Sequence, residues 1–217
     1  AINSVIKEKK DPVTCIIGGS KVSTKIAVIS NLMKNVDNII VVGAMANNFL
    51  AYKNNEIGKS LKERHSEEVI KKILKEAEEN KCKILIPEDC LVSKSFEGKS
   101  ISKDIKSVEK DDIILDIGPE TIKIIEEIID SSNTVMWNGP AGYFENKNFA
   151  LGTNAIAQRI SDNTKKRSLI SVLGGGDTVA AINKSGLELS FTHLSTAGGA
   201  FLEYLEGKDL PGLSVLK

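Results

Sequence analysis

The stretch from Ser168 to Ile182 constrains the fold more than any other part of this 217-residue chain. An apolar run ends there in three consecutive glycines, followed by Asp177, Thr178 and small apolar residues suited to a helix. Glycines between a strand and a helix leave the backbone uncovered by side chains at the helix N-terminus. Free N–H groups and the helix dipole favour an anion there. Asp177 and Thr178 stand where a carboxylate and a hydroxyl hold a divalent cation or cap the first turn. The stretch alone leaves both interpretations open: a phosphate cradle with a metal ligand, or a tight strand-to-helix turn.

Strand-like runs alternate with helical patterns along nearly the whole chain. Runs such as Val13–Ile17 and Thr134–Trp137 are apolar without alternation, which is typical of strands buried on both faces. This order predicts an α/β fold, a three-layer αβα Rossmann-like domain with a parallel sheet. The polar segment Lys94–Asp112 is expected to be a long surface loop or an irregular β segment, in either case a solvated insertion, and Ile113–Asp116 to be a further strand.

Composition and charge exclude several classes of function. The 29 basic and 29 acidic residues give zero net charge, which argues against nucleic acid or a membrane bound by bulk electrostatics. Cys15, Cys82 and Cys90 show no CxxC spacing, so reduced, buried thiols are expected rather than a structural zinc site. The chain has no apolar run long enough to span a bilayer and no signal-peptide profile, so a cytoplasmic protein is expected.

Five glycine-containing turns follow predicted strands. Because the carboxyl ends of parallel strands meet at one edge of a sheet, these turns should gather there and form a ligand crevice. Glycine allows a backbone to approach a ligand closely, so five such turns favour a binding edge over a purely structural explanation. The turns are Gly18–Gly19, Gly118, Gly139–Gly142, Gly174–Gly176 and Ser195–Gly199.

Lys21 and Lys25 follow the first of these turns, four residues apart. On a helix this spacing places both ammonium groups on one face, where they repel each other unless an anion lies between them. The pair is therefore either a phosphate clamp or two solvated surface lysines.

The common nucleotide signatures fail when they are checked. Gly58–Ser60 and Gly98–Ser100 resemble the end of a Walker A loop, but Lys53 and Ser93 stand where its first glycine belongs. The first strand is not followed by G-x-G-x-x-G, and the two histidines have no nucleophile motif beside them. A P-loop enzyme, a dinucleotide dehydrogenase and a histidine-dependent nucleophile are all disfavoured.

Several stretches, in this order, closely resemble the C-terminal, nucleotide-binding lobe of phosphoglycerate kinases in its bacterial form. The resemblance covers essentially the whole chain, and Trp137–Glu145 together with Gly174–Thr178 is highly specific. The matching stretches are Gly18–Ile26, Gly58–Leu61, Leu115–Gly118, Trp137–Glu145, Gly174–Thr178, Ser195–Ala200 and Leu205–Pro211.

The resemblance implies reversible phosphoryl transfer between 1,3-bisphosphoglycerate and Mg-ADP, which gives 3-phosphoglycerate and Mg-ATP. In this reaction both nucleophiles are already ionised at neutral pH, so no general base is needed. Catalysis then reduces to alignment and charge stabilisation.

On the nucleotide side, the resemblance implies that Asp177 binds the magnesium ion of the nucleotide. Glu145 would accept hydrogen bonds from the ribose hydroxyls, and Pro140 with Leu61 would wall the nucleoside. The residues implied along the phosphates are Gly19, Lys25, Asn138, Gly174, Gly175, Gly176 and Thr178.

The catalytic groups implied by the resemblance are two lysines and two backbone amides. Lys25 would contact the nucleotide phosphates and Lys21 the phosphoryl group in flight. The amides of Gly198 and Gly199, at the N-terminus of the last helix, would face that phosphoryl group. Three departures from the family's glycines are expected to tighten the adenine pocket and to shift the last amides: Val42, Ala44 and Ala197.

The family's N-terminal lobe, which binds the phosphoglycerate, has no counterpart in this sequence. Residues 1–12 are expected to be the remnant of an interdomain helix or linker, and residues 13–217 the nucleotide-binding domain. The expected partners are ADP or ATP and, through the absent lobe, 1,3-bisphosphoglycerate or 3-phosphoglycerate. We expect a monomer that binds nucleotide but turns over little by itself. The alternatives are a stand-alone nucleotide-binding module, a Rossmann-type oxidoreductase and a structural interaction domain.

Overall fold

The computed structural model describes residues 10–195 of the chain. The strands within these residues are β1 (Val13–Ile17), β2 (Asn38–Val41), β3 (Lys83–Leu85), β4 (Asp89–Ser93), β5 (Ile101–Asp104), β6 (Ile113–Ile117), β7 (Thr134–Asn138), β8 (Ile170–Gly174) and β9 (His193–Ser195). The α-helices are α1 (Ile26–Leu32), α2 (Ala44–Tyr52), α3 (Glu67–Glu79), α4 (Pro119–Ser131), α5 (Leu151–Arg167) and α6 (Gly176–Ser185). Short 3-10 turns cover Ser23–Lys25, Ile105–Ser107 and Lys147–Phe149.

A parallel sheet forms the middle layer of the domain, with the strand order β3-β2-β1-β7-β8-β9. In its centre Ile16 of β1 lies in register with Ile40 of β2 and with Trp137 of β7. Every residue of β1 and β7 is buried. Their continuously apolar sequences therefore follow from the helices that cover both faces of the sheet.

Helices cover both faces because successive side chains of a strand point in opposite directions. Cys15 of β1 joins a core with Ile29 of α1 and Phe49 of α2, to which α3 also contributes. Its neighbour Ile16 joins a second core with Ile125 of α4, to which α5 and α6 contribute. The predicted three-layer αβα architecture is confirmed.

A second, antiparallel sheet was not predicted. Its strand order is β5-β4-β6, and it packs against Leu50 of α2 through a core that includes Cys90. Most residues of Lys94–Asp112 are exposed, as expected, but the segment is not a separate insertion, because β5 pairs with β4 and Ile105 and Val108 are buried.

The many charged residues of this segment form ion pairs with one another. Lys94 Nζ lies 2.6 Å from Asp111 Oδ1, and Lys103 Nζ lies 2.8 Å from Asp112 Oδ2. Although burial raises the pKa of the Asp112 carboxyl, hydrogen bonds from Lys103 and Lys94 lower it to about 2. These ion pairs thus compensate the buried carboxylate of Asp112, while Lys94 and Asp111 remain exposed to solvent.

The second sheet also changes the position of Gly118. This glycine follows β6, which belongs to the antiparallel sheet and pairs with β4, so the expectation that Gly118 lies at the carboxyl edge of the parallel sheet is wrong. A Cβ atom at Gly118 would lie 2.2 Å from Asp89 Oδ2, and this close packing accounts for the glycine.

Cys15, Cys82 and Cys90 are buried and unpaired, as predicted. Burial raises the pKa of the Cys15 and Cys90 thiols to about 12. Within residues 10–195, no helix combines the length and the apolar character needed to cross a lipid bilayer.

Candidate functional site

Two adjoining cavities open where β1, β7 and β8 end. The polar cavity, of about 380 Å³, and the apolar cavity, of about 370 Å³, share Gly19, Ser20 and Asp177 in their walls. A ligand with a charged end and an apolar end would therefore fit across both. The residues that line the polar cavity are Gly19, Ser20, Lys21, Thr24, Lys25, Asn138, Gly139, Gly175, Gly176, Asp177 and Thr178.

A chain of hydrogen bonds ties the three strand ends of the polar cavity together. Lys25 Nζ donates to the carbonyl oxygen of Gly18 over 2.7 Å and to Asn138 Oδ1 over 2.8 Å. Asn138 Nδ2 donates in turn to the carbonyl oxygen of Gly174 over 2.8 Å. Asn138 is 4% exposed, and these hydrogen bonds fix the orientation of its amide in the cavity wall. Ordered groups of this kind need no rearrangement to meet a ligand.

Lys25 places its ammonium group in direct contact with two of the strand ends. Burial lowers the pKa of its ammonium group to about 8, while the Cys15 thiol and the Asp177 carboxylate act in the opposite direction. A partly desolvated cation interacts strongly with an anion that enters the cavity. Lys25 is thus suited to bind a phosphate group.

Lys21 lines the polar cavity, but its backbone conformation differs from the helical one that the sequence predicted. It lies in non-helical backbone before the 3-10 turn Ser23–Lys25, so the expectation that Lys21 and Lys25 share one face of a helix is wrong. Both residues nevertheless line the polar cavity, as parts of the segment that follows β1.

Glu63, which sequence analysis missed, anchors the loop that carries these lysines. Its carboxylate accepts hydrogen bonds from the backbone N–H of Ser23 over 3.0 Å and from the Ser23 hydroxyl. Burial raises the pKa of Glu63, but these hydrogen bonds outweigh that effect and leave the pKa below its usual range. Asn48 Oδ1 accepts from the Glu63 N–H over 2.8 Å, so α2 holds the same segment.

The start of α6 forms part of the wall of the polar cavity. The helix begins at Gly176, and a Cβ atom at Gly176 would meet no heavy atom within 4 Å, so its backbone faces open space. Gly175 has a φ of +106°, and a Cβ there would approach Asn138 Nδ2 to 2.8 Å. Only glycine fits this turn, which presents the first amides of the helix to the cavity.

Thr178 joins two of the loops as well as lining the cavity. Its side chain is fully buried, and its Oγ1 accepts from the Gly139 N–H over 2.7 Å and donates to the Gly174 carbonyl over 2.9 Å. This hydroxyl therefore fixes the turn after β7 relative to the turn after β8. The role in phosphate binding implied by the resemblance stays a prediction.

Asp177 is an exposed carboxylate at the boundary between the two cavities. Magnesium is commonly held by one or two protein carboxylates together with substrate phosphates and water, and Asp177 fits this donor set. The carboxylate oxygens of Glu109, Asp111 and Asp112 also lie within 4.8 Å of one another, but all three carboxylates already form ion pairs with Lys94 or Lys103.

The apolar cavity brings together the residues expected around a nucleoside. Leu61, Pro140 and Glu145 all line it, and Glu145 is exposed at its wall. Of the two departures from glycine near the predicted adenine pocket, Ala44 lines the cavity, whereas Val42 is buried in the second core. The prediction of a tighter adenine pocket therefore rests on Ala44 and not on Val42.

The second sheet supports the loop that carries Pro140 and Glu145. The N–H of Tyr143 donates to the carbonyl oxygen of Leu115 in β6 over 2.7 Å. Asp116, also in β6, accepts from the N–H of Gly152 over 2.9 Å and so holds the first turn of α5. The loop between β7 and α5 is thus fixed at both ends.

Asp116 is a second residue that sequence analysis missed. It is 2% exposed, and burial raises its pKa to about 7 despite hydrogen bonds from the amides of Gly152, Ile117 and Leu151. A single acid within the otherwise apolar run of β6 was the available signal. Gly198, Gly199 and Ala197 lie outside the described residues.

Comparisons with known proteins agree with this geometry. The family model described as phosphoglycerate kinase matches residues 1–208. A phosphoglycerate kinase from Dinoroseobacter shibae is 45% identical over 208 residues, which are 95% of this chain and 53% of that protein. One from Zymomonas mobilis is 44% identical over 219 residues, covering 100% of this chain and 55% of that protein.

A solved structure of phosphoglycerate kinase from Coxiella burnetii matches the fold with a TM-score of 0.93 at 38% sequence identity. The match covers 100% of this chain and 55% of that one. The chain thus spans about half the length of the relatives it matches. It belongs to the phosphoglycerate kinase family.

Proposed function

We propose that this chain is the C-terminal, nucleotide-binding lobe of a phosphoglycerate kinase of the bacterial type. The enzyme would catalyse reversible phosphoryl transfer between 1,3-bisphosphoglycerate and Mg-ADP, giving 3-phosphoglycerate and Mg-ATP. The observation that carries the proposal is the pair of cavities that meet at Asp177. The polar one suits a phosphate chain and the apolar one suits a nucleoside.

In this proposal the chain contributes positioning and charge rather than acid–base chemistry. Lys25 would hold the nucleotide phosphates and Lys21 the phosphoryl group in flight, while the amides of Gly175 and Gly176 bind phosphate oxygens. Magnesium, held between Asp177 and the phosphates, would offset the charge of the phosphate chain. Both lysines line the polar cavity, which supports these roles.

The remaining assignments are proposals of the same kind. Residues 1–12 would be the end of an interdomain linker, and residues 13–217 the nucleotide-binding lobe. The phosphoglycerate would bind to a separate N-terminal lobe, which is consistent with the partial coverage of the relatives. We further propose a cytoplasmic, monomeric enzyme.

A fusion protein tests the proposed function. The N-terminal half of the Zymomonas mobilis relative is joined to this chain, and ADP formation from Mg-ATP and 3-phosphoglycerate is measured. We expect turnover by the fusion, and ADP binding without appreciable turnover by the chain alone. An isolated chain as active as the fusion would contradict the division between lobes, and a chain that fails to bind ADP would contradict the nucleotide site.

The magnesium role of Asp177 predicts a metal-dependent loss of affinity. Asp177→Ala should weaken ATP binding by about 30-fold with magnesium and by less than about threefold with EDTA, because only the metal complex loses a ligand. Titration calorimetry of both variants under both conditions measures this difference. Glu127→Ala, which removes an exposed acid on α4, is the control. Equal weakening in the two conditions would remove the metal role.

A further inference from the structure

The apolar cavity contains a buried acceptor without a donor. Asn47 of α2 lines this cavity and is 1% exposed. Its Oδ1 has no hydrogen-bond partner within the part of the chain that the structure describes. Buried polar atoms are normally paired, because an unpaired one loses its hydration without compensation. An unpaired acceptor beside a cavity therefore points to a donor on the ligand.

The orientation of the Asn47 amide follows from its other contact. Its Nδ2 donates to the carbonyl oxygen of Leu61 over 3.0 Å, and that carbonyl cannot accept from Oδ1. Nitrogen is thereby assigned to the Leu61 side, which leaves oxygen as the free atom. Leu61 itself lines the apolar cavity, so the amide belongs to the cavity wall.

Two other buried side-chain oxygens in residues 10–195 lack a hydrogen-bond partner, and neither competes with Asn47 as a ligand contact. Asp112 Oδ1 lies 2.9 Å from the ammonium group of Lys94, so its charge is paired. Ser30 Oγ does not line either cavity. Asn47 alone of the three combines an unpaired oxygen with a place in the nucleoside side of the site.

The chemistry of the cavity specifies the missing donor. Its walls are mostly apolar, with Ala44, Leu61, Leu115 and Pro140 among them, and its volume of about 370 Å³ suits a heterocyclic base. Adenine carries an amino group at position 6, which donates hydrogen bonds. Hypoxanthine and guanine carry a carbonyl oxygen there, which would face another acceptor.

We propose that Asn47 Oδ1 accepts a hydrogen bond from the 6-amino group of an adenine base in the apolar cavity, which makes Asn47 a base-selecting residue. This inference rests on the proposed function, because it requires a nucleotide that spans both cavities. A site built to pair with a substrate group discriminates against an analogue that lacks it, since its own polar atom is then left unpaired.

A ligand-by-variant comparison tests the inference. Titration calorimetry measures binding of Mg-ADP and of the diphosphate of purine riboside, which carries hydrogen in place of the 6-amino group. We expect the wild-type chain to prefer ADP by about tenfold. Asn47→Ala should bind the two nucleotides equally, with the loss confined to ADP, whereas Asn47→Asp, which keeps an acceptor, should retain the preference.

Asn48→Ala is the matched control. Asn48 neighbours Asn47 on α2, is equally buried and also holds the segment of Leu61 through the Glu63 N–H, yet it does not line the cavity. It should keep the wild-type preference for ADP. Equal affinity of the wild-type chain for both nucleotides, or an unchanged preference in Asn47→Ala, would overturn the inference alone. A wild-type chain that binds neither nucleotide would overturn the proposed function and this inference with it.

Discussion

Lys25→Met is expected to weaken ADP binding by about 100-fold, equivalent to about 2.7 kcal/mol. Methionine replaces the unbranched stem of lysine but removes the terminal ammonium group, and with it the charge at the polar cavity. It also leaves the Gly18 carbonyl and Asn138 Oδ1 without their shared donor, so the strand ends lose a common anchor. Titration calorimetry measures the loss.

The same variant tests the ionisation of Lys25. With a pKa of about 8, this ammonium group is largely neutral in the free chain at pH 9, and bound phosphate would recharge it. ADP binding at this pH should therefore take up a proton, and affinity should fall as the pH rises from 7 to 9. Calorimetry in buffers of different ionisation enthalpy measures the uptake, which Lys25→Met should abolish.

Lys34→Met is the control for both measurements, because Lys34 is an exposed lysine just beyond α1 and outside both cavities. Its ADP affinity and proton uptake should equal those of the wild-type chain. If Lys25→Met binds ADP within threefold of the wild type, Lys25 does not contact the phosphates.

Asp116 should make the chain less stable as the pH rises. Its pKa is about 7 in the folded chain and 3.8 when unperturbed, so between these values the folded chain holds a proton that the unfolded chain has lost. The free energy of unfolding should fall by on the order of 3 kcal/mol between pH 5 and pH 8 from this group alone. Above the folded pKa the effect levels off.

Urea unfolding of the wild type and Asp116→Asn at several pH values measures this contribution. The asparagine cannot ionise, so its unfolding free energy should lack the part of the slope that Asp116 causes, whatever its absolute stability. Asp130→Asn is the control: hydrogen bonds from Arg159 hold the pKa of Asp130 low, so it is ionised in both states across this range. Parallel slopes for the wild type and Asp116→Asn would show that Asp116 is ionised throughout.

The sequence predicted the parts of the site that depend on topology. Gly19 follows β1, Asn138 ends β7, and Gly175 and Asp177 follow β8, yet they meet because parallel strands present their carboxyl ends at one edge. This holds whatever the details of the loops. Lys21 lines the cavity even though the helical spacing argued for it does not exist.

Contacts between distant segments could not be predicted in the same way. Glu63 binds Ser23 forty residues away, and Asn47 binds Leu61 through a backbone carbonyl, so neither leaves a spacing pattern in the sequence. The pairing of β5 with β4 was hidden because the segment around β5 is charged and mostly exposed, a composition that fits a surface loop as well as a strand. Of these features, only Asp116 could have been noticed in the sequence, as a single acid within the apolar run of β6.

The hydrogen bonds from Lys25 through Asn138 to Gly174 join strands of the parallel sheet beside the polar cavity. The antiparallel sheet instead lines the apolar cavity, through Leu115 and Asp116 of β6 and through Phe96 between β4 and β5. In the proposed function the parallel sheet holds the phosphates, whereas the base lies between α2, which carries Asn47, and the antiparallel sheet. Protein engineering could therefore exchange one nucleobase for another by altering Asn47 and the antiparallel residues around it, while the anchoring of the phosphate chain is carried over intact.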